Sequence, residues 1–178
     1  SLYSDKVEFH SESKTTNKHH IALQSELIDV VNTPSEFKQT SSVEAIHQIA
    51  SKLHKRSLVL FFTDMLEGVE DLSEIFSALQ HLKFNKHEVI LFHLSENKTE
   101  FELDFKNSPY KFIDIETKEE IKLNPEELKE EYKKRSDLFL KELKLRCLQH
   151  KIDLVDIDIN KGVEHILISY LLKRQKMF

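Results

Sequence analysis

The sequence predicts an α/β fold, a mostly parallel sheet held between helices. The runs "SLVLFFTDML" and "HEVILFHL" are short, almost wholly apolar and separated by an amphipathic helix. That is the pattern of adjacent parallel strands buried on both faces. A third run, "IDLVDIDI", follows a long helical stretch and supplies another strand of the same kind. The 178 residues, 39% hydrophobic and 32% charged, are enough for one domain, residues 1–178, with a core of its own.

Taken in order, "SLYSDKVEFH" predicts two short strands around a turn at Ser4 and Asp5, with Val7 and Phe9 alternating against Lys6 and Glu8. "SESKTTNKHH" is polar and loop-like. Between residues 18 and 32, Ile21, Leu27, Ile28 and Val31 recur at helical spacing, and "TPSEFKQ" ends that helix. The next helix carries Val43, Ile46, Ala50 and Leu53 on one face, with Ser41 and Glu44 at capping-box spacing. The strand Ser57–Thr63 follows. The helix "EDLSEIFSALQHL" then turns Leu72, Ile75, Phe76, Leu79 and Leu82 inward, capped by Asp71 and Glu74, and leads to the strand at 87–94. This is a βαβ unit, whose crossover is expected to be right-handed.

Residues 95–124 change character. "FELDF", "YKFIDIE" and "EEIKLN" predict a small β excursion outside the main sheet. Asn124 as N-cap, Pro125 at the first position and Glu126 with Glu127 in the first turn start a long helix. Its buried side is marked by Tyr132, Phe139, Leu143 and Cys147. The last strand is "IDLVDIDI", and Val163, Ile166, Leu167, Tyr170 and Leu171 define the closing helix.

A net charge of −5 argues against nucleic acid as the main partner, because phosphate binding needs a basic face. One cysteine, Cys147, excludes an internal disulfide framework and fits a reducing, cytoplasmic compartment. No apolar run approaches the roughly 18 residues of a membrane span, and no signal peptide is visible. The chain begins at Ser1 and runs at once into a strand, which reads as a start inside a larger protein.

Asp64 ends a buried strand, where ligands and metals sit in open α/β sheets. It either holds a cation or caps the following turn. Thr40, just before the second helix, is either a ligand or an ordinary N-cap. Asp156 and Asp158 have the Asp-x-Asp spacing of phosphatase nucleophiles, but lie at the end of the chain and read more simply as acidic positions on a last strand. The ten histidines read as surface or helix-end residues, since no His-Glu-x-x-His or paired-cysteine spacing occurs. "PEELKEEYKKRSD" reads as a solvated helix face. There is no Gly-rich phosphate loop, no Gly-x-Ser-x-Gly elbow and no nucleophile–base pair, so the expectation is not an enzyme. The rival is a metal-dependent hydrolase or phosphotransfer enzyme built on Asp64, Asp156 and Asp158.

The order of "LYSDKVEFH", "TSSVEAI", "KRSLVLFFTDML", "HEVILFHL", "FIDIETKEEIKLNPEELKEEYKKR" and "KIDLVDIDI", closed by "LISYLLKRQ", resembles the C-terminal half of a bacterial family, domain of unknown function 58. The likeness runs along essentially the whole chain. That family carries a von Willebrand factor A-like (Rossmann-like) domain and is often encoded beside MoxR-type AAA+ ATPases. The resemblance implies a protein–protein interaction domain. It implies magnesium held in the intact protein by an Asp-x-Ser-x-Ser loop, a threonine matching Thr40 and an aspartate matching Asp64. It also implies an open coordination position for a partner's carboxylate. No Asp-x-Ser-x-Ser precedes Thr40, so the first strand and its metal loop are missing from the pattern. This chain alone is therefore expected to bind magnesium weakly or not at all, and "LYSDKVEFH" is expected either to pair with Ser57–Thr63 or to pair with another copy of the chain, the second route giving a homo-oligomer.

Overall fold

The structure, a computed structural model, describes residues 1–4, 6–33, 42–54, 56–64, 72–105, 108–113 and 120–175. The chain divides into two units, residues 1–52 and, apart from the short stretch 113–119, residues 53–178.

In the first unit, β1 (Leu2–Tyr3) pairs antiparallel with β2 (Val7–Phe9), Leu2 opposite Phe9 and Tyr3 opposite Val7. The hairpin turn is closed by the Ser4 N–H donating to Lys6 O at 2.9 Å. α1 (Asn17–Asn32) starts where the Thr16 hydroxyl accepts from His19 N–H. It is helical as its spacing predicts, yet it buries none of its residues, and Ile21, Leu27, Ile28 and Val31 are all exposed. Period fixes which residues share a face; it does not supply a neighbour for that face. α2 (Ser42–Lys52) buries Ile46 and Ala50 of its predicted face, and Ala45 beside them, while Val43 and Leu53 are half-buried. Thr33, the first residue of "TPSEFKQ", is the C-cap of α1, its N–H bonding to Asp29 O; residues 34–39, Thr40 and the capping Ser41 and Asp71 lie outside the described residues.

The second unit is built on three parallel strands in the order β3 (Leu58–Thr63), β4 (Glu88–Ser95) and β7 (Asp153–Asp158). Leu58 aligns with Glu88 and Thr63 with His93; Ile90 aligns with Asp153 and Ser95 with Asp158. α3 (Leu72–Phe84) connects β3 to β4 and buries Leu72, Ile75, Phe76, Leu79 and Leu82, the face its spacing predicts. β5 (Tyr110–Ile113) and β6 (Glu120–Leu123) form a separate two-stranded sheet, joined by a Lys111–Glu120 ion pair at 2.6 Å. α4 (Pro125–Gln149) is N-capped by Asn124, whose side chain accepts from Glu126 N–H. α5 (Val163–Gln175) ends the described chain.

β4 is the buried centre, with Val89, Ile90, Leu91, Phe92 and His93 all at 2% exposure or less. One face of the sheet carries Ile90, Phe92 and Ile157, packed with Val155, Leu94 and, from α5, Ile166 and Tyr170. The other face carries His93, whose ring meets Phe139 of α4. α3 and α4 meet where Phe76 stacks on His150 at 5.5 Å.

Three expectations are corrected. β3 is not buried on both faces: among the described residues it is an edge strand, and Leu58, Leu60 and Phe62 are 41%, 45% and 52% exposed. An apolar run records what side chains can tolerate, and says nothing about whether a second strand lies alongside. "FELDF" is not a strand. A π-type turn, Asn97–Phe101, precedes it, Leu103 has φ 44°, and Asp104 N–H and Phe105 N–H bond locally to Lys98 O and Leu103 O, which takes up the groups a ladder would use. Finally, α4 buries only Pro125, Leu143 and Cys147, while Tyr132 is exposed. Its charged first half is a solvated face with an i,i+4 pair, Glu131–Arg135 at 3.3 Å.

With two glycines in the chain, the helix stops preceding β4 and β7 are made by lysines. After α3, Lys86 sits at φ 63°, its N–H bonding to Lys83 O and the His87 N–H to Leu82 O. After α4, Lys151 sits at φ 54°, with Lys151 N–H on Leu148 O and Ile152 N–H on Cys147 O. Both are Schellman closures with a non-glycine residue in the left-handed position.

Candidate functional site

The C-terminal edge of the sheet gathers the polar side chains of all three strands. The register puts Thr63, His93 and Asp156 in one row. Alternation along the strands sets these three side chains on one face. The row arises because each strand places a polar residue at the same level.

His93 Nδ1 donates to Asp156 Oδ1 at 3.0 Å. The imidazole is 1% exposed, and the rings of Phe101 and Phe139 lie 6.3 Å and 6.1 Å from it. Asp156 stays partly open to water, its side chain 42% exposed. The His93 hydrogen bond holds its carboxyl below the ordinary aspartate value; burial opposes this, and the nearby charges of His93, Lys144 and Lys161 reinforce it. Hydroxyl, imidazole and carboxylate in a row have the residue types of a proton relay. Here the ring is roofed by the two phenylalanines.

Beyond this row the polar groups are engaged in local structure. Asp158 Oδ1 accepts from Asn160 N–H at 3.2 Å, and its other oxygen pairs with Lys161 Nζ at 3.4 Å. Ser95 Oγ donates toward Asn97 Oδ1 at 3.1 Å. Glu96 receives Asn160 Nδ2 at 3.3 Å and the Thr99 hydroxyl at 2.8 Å.

Asp64 directly follows β3 and is exposed, at the sheet edge the sequence predicts for it. Thr40 falls outside the described residues. Asp156 and Asp158 lie on β7, and β4 separates that strand from the one Asp64 follows. Two strand spacings are about 9–10 Å. Among the described residues no group of three His, Cys, Asp or Glu side chains gathers closely enough to hold a metal ion.

Two histidines read as surface residues are buried, His87 at 2% and His93 at 1%. His87 Nδ1 accepts the Ser57 N–H at 3.0 Å, which leaves the proton on Nε2, a buried atom with no partner among the described residues. The sequence signal for His93 is its alternation with Leu91 against Phe92 and Leu94, matched by Asp156 in "DLVDID"; the register that joins them is not written in either strand.

No described helix is long and apolar enough to cross a membrane. Comparison with family models, with curated proteins and with solved structures yields no match.

Proposed function

We propose that this chain is a protein–protein interaction domain of the von Willebrand A type, working in the intact protein with a MoxR-type AAA+ ATPase in the assembly or maturation of other proteins. The observation that carries the reading is β3: an edge strand with three exposed apolar side chains, followed at once by the exposed carboxylate of Asp64. Apolar surface and an oxygen ligand side by side suit association.

In the intact protein Asp64 and Thr40 help to hold magnesium, which prefers oxygen ligands and retains several waters. Bound there, the ion would supply an open position for a partner's carboxylate. Without an Asp-x-Ser-x-Ser loop, Thr40 and Asp64 bring a single carboxylate, which is a weak site, so this chain by itself binds magnesium weakly or not at all. The hydrolase alternative requires Asp64, Asp156 and Asp158 around one ion, and its support is poorer: Asp156 is engaged by His93, and Asp158 by Lys161 and Asn160.

The test is calorimetric titration of the chain with a purified MoxR-type ATPase, in magnesium and in chelator. Saturable binding is expected. Absence of binding in both buffers overturns the partner. Tight stoichiometric magnesium binding by the chain alone, with phosphate-ester hydrolysis abolished in Asp64→Asn, overturns the interaction reading in favour of an enzyme.

A further inference from the structure

One face of β4 carries a buried imidazole near each end, and the two tie the strand to different neighbours by opposite chemistry. His93 Nδ1 donates to the Asp156 carboxylate of β7, so a second proton on that ring sits beside a negative charge. His87 Nδ1 accepts the Ser57 N–H at the start of β3, so a second proton on that ring meets a donor. His87 is also a backbone junction. Its own N–H goes to Leu82 O at the end of α3 at 3.2 Å, and the next N–H, of Glu88, goes to Ser57 O at 3.0 Å. Two adjacent residues of β4 thus hold both backbone groups of Ser57.

Only a neutral ring can make this tie. The bond from Ser57 uses the one lone pair of Nδ1, and the ring is 2% exposed, so a charge placed on it is taken out of water. Among the described residues Nε2 has no hydrogen-bond partner, so no carboxylate bonds the ring. The carboxylates at this end of the strands alternate onto the opposite face: Glu88 follows His87 directly, and Asp153 aligns with Ile90. The face of His87 is that of His93, which α4 covers and where α3 meets α4. To this end of it α3 and its stop bring His81, Lys83 and Lys86, and the end of α4 brings Arg146, Cys147, His150 and Lys151. Glu142 of α4 is held by Arg146 at 2.7 Å. β3 brings Ser57 and Val59, with His54 and Arg56 before them. Apart from the buried thiol these ionisable groups are bases, and a cation among them gains no partner.

We infer that His87 is an acid-sensitive clip: a proton taken up at Nδ1 displaces the Ser57 N–H and releases the first residues of β3 from β4, while the His93–Asp156 bond to β7 holds. The sign follows from which state binds the proton. Closed, the ring keeps Nδ1 for Ser57; opened, it is a free imidazole, which is protonated below about pH 6.5. The opened state binds more protons, so the clip is fully present above that value and is weakened as pH falls through it. β3 is the strand on which the interaction reading rests, and mild acid loosens its start first. The inference goes beyond that reading and stands without it, because the chain alone carries the clip.

The experiment is amide hydrogen exchange of the chain between pH 7.5 and 5.5, each rate taken relative to an unstructured peptide at the same pH, with nitrogen-15 spectra of the imidazoles. Protection of the Ser57 and Glu88 amides should fall about tenfold over that range, the linkage expected of one imidazole that is free only when opened. At pH 7.5 the His87 ring should carry its proton on Nε2 and none on Nδ1. His87→Asn keeps an acceptor near the Nδ1 position and does not titrate, so in that variant the protection of both amides should not change with pH. Protection that holds to pH 5.5 in the native chain, an equal fall in His87→Asn, or a ring that carries two protons while both amides stay protected each overturns the inference. If His87→Asn does not fold, the native ring decides. Protonation of Nδ1 in step with the loss of amide protection supports the clip, and a proton on Nδ1 at pH 7.5 overturns it.

Discussion

The buried imidazole of His93 and the partly open carboxylate of Asp156 are joined by one hydrogen bond of 3.0 Å between adjacent strands. The pair is asymmetric, and so are the expected costs of breaking it. Asp156→Ala strands a ring nitrogen in the core, at about 1–3 kcal/mol. His93→Leu leaves a carboxylate that water can still reach, and should cost less. In urea denaturation the double variant should fall short of the sum, with a coupling of about 0.5–3 kcal/mol.

Acid should weaken the same contact. Asp156 titrates below its ordinary value of 3.8, chiefly because of the His93 hydrogen bond. A depressed folded value means that the stabilisation is fully present above the unfolded aspartate value. It is lost as pH falls through 3.8 toward the lower folded value. The stability difference between the native chain and Asp156→Asn should shrink as pH falls below about 4. Urea midpoints measured across that range check it.

Cys147 is 2% exposed, and burial pushes its thiol up to about 12. The thiolate is the reactive form, so native labelling by an aromatic disulfide at pH 8 should be slow. Its rate should track unfolding, rising to that of a free thiol in denaturant.

Lys86 and Lys151 hold left-handed backbone without the freedom of glycine. The conformation costs an L-residue roughly 1–2 kcal/mol, part of which glycine returns as unfolded-state entropy. Lys86→Gly and Lys151→Gly should each raise stability by about 0.5–1 kcal/mol, read as an increase in the thermal midpoint.

Phe62 and Phe92 stack at 4.5 Å with an interplanar angle of 9°, one half exposed and the other at 2%. Phe92→Ala should cost about 3–5 kcal/mol, since it opens a cavity against Ile90, Ile157 and Tyr170. Phe62→Ala should cost less than about 2 kcal/mol in dilute chain.

What the sequence made legible is what single segments encode. α3 was readable down to its five inward side chains, and the Asn124–Pro125 start of α4 from its capping chemistry alone. The β4 run was read as buried, and it is. The β3 run carries the same signature and is an edge, because burial of a strand depends on neighbours its own residues do not name. α1 fails in the same way, with correct period and an apolar face left exposed. His93 was missed since its partner lies 63 positions away, joined only by register. Asp64 directly follows the strand its apolar run predicts; its companionship with Thr40 is implied by the resemblance.

The central place of β4 also sets a timetable. Its even-numbered N–H groups address β3 and its odd-numbered ones β7, so amide exchange at even positions reports the opening of one ladder and at odd positions that of the other. The two ladders close unequal loops: Ser57 and His87 are 30 positions apart, whereas His93 and Asp156 are 63. Doubling a loop adds only about 0.6 kcal/mol of closure entropy, but the longer one must also wait for α4 to form before its strand can dock. The β3–α3–β4 segment is thus expected to form first and β7 to dock last, so substitutions in α3 should slow folding while those in β7 should mainly speed unfolding.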